Sequence, residues 1–137
     1  MNEGLKLENI NALFEKFELP NFNSSSVIYG CINPKFWKFA LYQELAVLDI
    51  KHFLIYFDSN KIILIGLTVT GDFTYNVLQI PMTSISNMTF KKGWINSKFE
   101  FTTTENKRYP FKVPNFVLTA KWQKPNLANI ITTYINQ

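Results

Sequence analysis

The chain has 137 residues, 47% apolar and 18% charged, which is material for one core and too little length for two. That composition excludes disorder, collagen and a disulfide scaffold. A single cysteine (Cys31) and a single histidine (His52) exclude a disulfide and any site built from several His or Cys ligands. The net charge of +4 is unevenly spread: −2 over residues 1–20, zero over 21–84, +6 over 85–124 and no charged side chain beyond. Such an asymmetry suits an anionic partner. Thirteen lysines to one arginine is also what an AT-rich genome writes, and scattered lysine is then ordinary solubilising surface.

Leu7, Ile10, Leu13, Phe14 and Phe17 recur at three- and four-residue spacing, predicting a helix over 3–18 with one apolar stripe. Pro20 stops it, and 21–26 is a polar linker. Residues 1–20 are therefore an N-terminal amphipathic helix and linker start, and 21–137 a β-rich unit with a closing helix, within one domain overall. The stripe either packs on that unit or docks a partner or a second copy.

Val27–Ile32 reads as a strand, and so does most of Phe36–Val47. Phe53–Phe57 and Ile62–Val69 flank the turn Asp58-Ser59-Asn60 as a hairpin. Gly71-Asp72 turns the chain into a strand over Tyr75–Ile80, and Ile85–Phe90 is the next. Trp94–Thr103 and Lys107–Val113 alternate, with Phe99, Phe101, Tyr109, Phe111 and Val113 inward and Lys98, Glu100, Arg108 and Lys112 outward. Pro110 in this last run predicts an edge strand or a bulge. After a connection over Phe116–Trp122 comes a helix with Pro125 at its first position. Leu127, Ile130, Ile131, Tyr134 and Ile135 form its apolar stripe, and Asn126, Asn129 and Thr133 its polar face. The order predicts a mainly-β fold: a bent antiparallel sheet or partly open barrel of about seven strands, with a C-terminal capping helix and an extra N-terminal helix.

The stretch Phe53–Val113 resembles the bacterial pleckstrin-homology-like (PH-like) domains of the short YokE-like or GRAM-like type. The resemblance rests on FLIYFDSNKIILIG, on Ile80-Pro81 with Ile85 as an I-P-x-x-x-I pattern, on the turn Lys91-Lys92-Gly93, and on Phe111-Lys112-Val113 ahead of the closing helix. It implies a seven-stranded, strongly bent antiparallel barrel capped by a C-terminal helix. The N-terminal helix lies outside that pattern. Lipid-binding relatives hold phosphates on basic residues of the first hairpin. The corresponding region here, Val27–Val47, offers only Lys35 and Lys38, so no phosphoinositide site carries over.

Catalysis needs a nucleophile, an acid–base group and charge-stabilising groups brought together, and this sequence offers no such set. Cys31 lies in an apolar run with no basic neighbour in sequence to lower its pKa. His52 stands at a strand edge, and the five glycines are scattered singly. No zinc-ligand spacing is present, so neither metal nor cofactor is expected. Aromatics on one strand face and charges on the other argue against nucleic-acid binding. The expected function is a non-catalytic, cytoplasmic PH-like interaction module whose partner is a protein or an anionic membrane surface, with Lys91, Lys92, Lys98, Arg108 and Lys112 as its candidate basic surface. The alternative is a carrier holding a small apolar ligand in a barrel cavity.

Overall fold

The computed structural model describes residues 2–32 and 50–135. The strand expected within Phe36–Val47, and Lys35 and Lys38 with it, lie outside the described residues. After a 3-10 turn at Glu3–Leu5, helix α1 spans Leu7–Lys16. The chain itself stops this helix before Pro20 is reached. Glu18 turns left-handed (φ 53°), its N–H bonds the Glu15 carbonyl, and the Leu19 N–H reaches back to the Phe14 carbonyl at 2.9 Å. These two reverse bonds satisfy carbonyls that the last helical turn leaves open.

Among the described residues seven strands follow: β1 Val27–Ile32, β2 His52–Phe57, β3 Lys61–Leu67, β4 Phe73–Pro81, β5 Ile85–Lys91, β6 Asn96–Thr103 and β7 Arg108–Pro114. They form one antiparallel sheet in the order β4-β3-β2-β1-β7-β6-β5. The edges β4 and β5 are consecutive in the chain and linked through a 3-10 turn at Met82–Ser84, yet stand at opposite ends of that order. The fold is thus the mainly-β, open seven-stranded sheet with a helix at each end that the patterning predicts.

The two halves of the sheet are buried differently, and the sequence shows it. In β2 and β3 every residue after the first is buried, so these strands read as unbroken apolar runs, as strands covered on both faces do. One face carries Phe53, Ile55, Phe57, Ile62 and Leu64, which join Phe99, Phe101 and Phe111 in an inner core. The other face carries Leu54, Tyr56, Ile63, Ile65 and Leu67, which join Ile10, Leu13 and Phe14 of α1 in an outer core. The α1 stripe is therefore buried in cis and is not free to dock. At about 1.5–3 kcal/mol per fully buried large apolar side chain, each core is a major part of the stability. Strand β6 instead alternates strictly, with Ser97, Phe99, Phe101 and Thr103 inside and Lys98, Glu100 and Thr102 outside, because only one of its faces is covered.

Strand β7 is not an edge: it pairs with β6 over its whole length and with β1 at Cys31↔Lys112 and Ile32↔Phe111. Its register with β6 passes through Glu100↔Pro110 unshifted, so Pro110 marks no bulge there. Pro110 lies one residue past the described end of β1.

Helix α2 spans Gln123–Ile130 and continues as a π-helical turn over Ile131–Ile135. Pro125 is its third residue rather than its first, still within the turn whose N–H groups lack helical partners. Leu127 and Ile130 are buried, and Ile131, Tyr134 and Ile135 pack beside them on the inner core. The face expected to be polar surface is instead a row of amide clasps. Asn126 is buried and donates to the Ser24 and Val27 carbonyls at 2.7 and 2.9 Å, and Asn129 donates to Ser25 O. Gln123, fully buried, accepts from the Tyr29 N–H at 2.8 Å and donates to the carbonyls of Tyr29 (2.8 Å) and Pro114 (2.9 Å). Its amide supplies a bridge beside the β1–β7 ladder, where backbone groups would otherwise lose partners. Gln123→Leu strands those groups while keeping the side-chain volume. At about 1–3 kcal/mol per unpaired buried group, it should cost roughly 2–4 kcal/mol in urea unfolding. A change within about 0.5 kcal/mol would contradict this role for the amide.

Candidate functional site

The outer face of β5–β7 is the part of the sheet that α1 does not cover. Lys98 stands directly opposite both Lys91 on β5 and Lys112 on β7, and Lys112 stands opposite Cys31, which in turn faces His52. One row therefore crosses five strands on one face: Lys91, Lys98, Lys112, Cys31, His52. Lys91, Lys92 and Lys98 are exposed, whereas Lys112 and Arg108 are half-buried rather than fully exposed as expected. Arg108 does share the face with Lys98 and Lys112, but it is neutralised. Its guanidinium makes a two-pronged pair with Glu100, Nη2 to Oε1 at 2.8 Å and Nε to Oε2 at 3.1 Å. Such forked pairs are the geometrically specific kind, so Arg108 is the least available of the five candidate cations.

Trp94 and Ile95, expected to open a strand, lie instead in the β5–β6 turn and are exposed. Asn115 ties this turn down. Its backbone N–H bonds Ile95 O at 2.9 Å, and its side-chain amide donates to Gly93 O (2.9 Å) and Trp94 O (3.2 Å). Ser97 Oγ donates to Asn115 Oδ1, closing the clasp. A Cβ on Gly93 would sit 2.0 Å from the Asn96 carbonyl oxygen, so this turn requires glycine.

Cys31, isolated from basic residues in sequence, has His52 and Lys112 as its cross-strand neighbours. Only strand register reveals this. The neighbours do not activate it: burial pushes the thiol above its ordinary value, outweighing the Lys112 charge that pulls it down. Tyr29, two residues back on the same face, is pushed up to about 12 by burial first and by Cys31 second. Its hydroxyl lies 2.7 Å from His52 Nδ1. Burial, and then the charges of Lys51 and Lys112, hold the imidazole below its ordinary 6.5. Burial thus disfavours the charged form of all three groups, thiolate, phenolate and imidazolium. Among the described residues no three His, Cys, Asp or Glu side chains converge as a metal site, and no helix is long and apolar enough to cross a membrane. No protein-family model and no curated protein matches the chain.

The lowered His52 pKa has a measurable consequence. Below pH 6.5 the unfolded chain protonates this imidazole before the folded chain does. The contribution of His52 to stability is therefore complete above 6.5 and is lost as pH falls from there through the lower folded value. An NMR titration should place the His52 midpoint below 6.5, and His52→Gln should flatten this part of the stability–pH curve. A midpoint above 6.5 would contradict the burial and charge environment described.

Proposed function

We propose that this chain is a non-catalytic, cytoplasmic PH-like binding module that meets an anionic partner, a protein or a membrane-surface component, on the outer face of β5–β7. The observation that carries this reading is the row of Lys91, Lys98 and Lys112, placed directly opposite one another on three adjacent strands. Among the described residues none of the three has an ion-pair partner, and the pairs that do form on this side use Arg108 with Glu100 and Lys107 with Glu105. Like charges facing each other across strands are destabilising. The fold bears that repulsion, and an anionic partner relieves it.

Seven antiparallel strands and a closing helix among the described residues support the PH-like reading, although the sheet is open where the resemblance implies a barrel. Burial, which disfavours the Cys31 thiolate and the Tyr29 phenolate, supports a non-catalytic role. The inner core favours a module over a carrier. Phe53, Phe57, Phe99, Phe101 and Phe111 are all fully buried, with ring centroids 5.4–6.4 Å apart in the contacts Phe57–Phe99, Phe53–Phe111 and Phe99–Phe111, so side chains occupy the space a ligand would need.

The test uses two anionic probes, a poly-glutamate peptide and phosphatidylserine vesicles. Wild type should bind at least one of them at about 0.1 M salt and release it at about 1 M, where the screening length contracts from about 10 to about 3 Å. The triple variant Lys91→Glu, Lys98→Glu, Lys112→Glu should bind neither while keeping the wild-type unfolding midpoint within a few degrees. Failure of wild type to bind either probe at the lower salt, or undiminished binding by the variant, would overturn the proposal.

A further inference from the structure

Two stretches of the sequence lack acidic residues altogether, 73–99 and 106–137. The fold brings them together at one end of the sheet. Asn96 at the start of β6 faces Pro114 at the end of β7, and Asn115 clasps the turn between β5 and β6. This end is also the most apolar exposed part of the described molecule. Trp94 is 95% exposed, Ile95 69%, Phe116 56% and Leu118 75%. Around them Lys91, Lys92, Lys98 and Lys124 are all exposed. A groove of about 190 Å³ between the turn and α2 is lined by Lys92 and Lys124 with Ser97 and Asn115 as polar groups, over a floor that includes Leu127 and Ile131.

We infer that this end of the molecule docks on an anionic lipid bilayer, with Trp94 and Ile95 entering the interface and Lys92 and Lys124 taking lipid phosphates. The inference rests on the binding-module reading and names its partner. Tryptophan at a membrane–water interface places an amphipathic ring at headgroup depth. Lysine stems lie along apolar surface while their ammonium groups reach phosphate, and each lysine near an anionic leaflet adds to attraction. The turn also has the form this task requires. It is held by Asn115 and Ser97, so little ordering remains to be done on binding. The site lies at the end of the sheet where β1 begins.

Flotation with phosphatidylcholine vesicles, with and without phosphatidylserine, tests this directly. Wild type should float with the anionic vesicles and not with the neutral ones at about 0.1 M salt. Trp94→Ser with Ile95→Ser should weaken that binding at least about tenfold, because two apolar side chains no longer leave water. Lys92→Glu with Lys124→Glu should weaken it more than about a hundredfold, since each charge near the leaflet counts. Both pairs are exposed, and circular dichroism should show an unchanged fold. No flotation of wild type, equal flotation with both lipids, or full binding by the Trp94/Ile95 variant would overturn the inference. If vesicles fail but the poly-glutamate peptide binds through Lys91, Lys98 and Lys112, the module reading stands with a protein partner. If both fail, that reading falls as well.

Discussion

The structure depends on one constraint: the strands β1–β3 are apolar on both faces, so both faces must be covered. The inner face is closed by the curl of the sheet onto β5–β7 and by α2, through Phe53, Phe57, Phe99, Phe111 and Ile130. The outer face has no second sheet to meet. It is closed by α1, whose Ile10, Leu13 and Phe14 pack on Leu54, Tyr56, Ile63 and Ile65, with help from Ala120 in the connection to α2. Without that cover, the outer faces of β2 and β3 would be a broad apolar patch of the kind that aggregates or recruits partners. Because α1 is spent on β1–β4, the outer face of β5–β7 remains open, and there the chain places charge instead of hydrocarbon.

Polar clasps fix the layers relative to one another. The Trp122 indole N–H donates to Leu5 O at 2.9 Å, joining the C-terminal connection to the start of α1. The Gly4 N–H bonds Gly71 O at 2.8 Å, and the Asp72 carboxylate accepts from the Glu3 N–H, anchoring the N-terminal turn to the β3–β4 loop. The Glu3 N–H, and after it the Thr70 hydroxyl, hold the Asp72 carboxyl below its ordinary value. On the other side the Tyr56 hydroxyl accepts from the Asn23 N–H and pins the linker after α1. Each bond is modest alone. Together they tie residues far apart in sequence to one another, which is how helix, linker and sheet become one unit.

Much of this was legible in the sequence, for a physical reason. Period-two alternation reports a strand with one wet face, and β6 and β7 show it cleanly, so Phe99, Phe101 and Phe111 could be assigned to the core and Lys98, Arg108 and Lys112 to one outer face. The α1 stripe was legible as a stripe, but not its destination, since periodicity says that a face is buried and not against what. Asn126, Asn129 and Gln123 were misread or passed over because residue polarity predicts exposure, whereas a buried amide is acceptable once its hydrogen bonds are made. The Cys31–His52–Lys112 adjacency depends on register between strands distant in sequence, and no local pattern encodes that. Within the candidate surface, the segment and its lysines were visible. The pairing of Arg108 with Glu100 and the placement of Trp94 and Ile95 in a turn were not.

The claim that α1 belongs to the folded unit decides which surface is left for a partner, and native-state hydrogen exchange tests it most directly. Amides of α1 and of β2–β3 should open together, with the same free energy and the same denaturant dependence, as members of one cooperative unit do. Exchange from α1 by a separate, low-energy opening, with β2–β3 still protected at the global value, would show that the helix detaches from an otherwise stable sheet. The outer face of β1–β4 would then be available for docking, contrary to the account given.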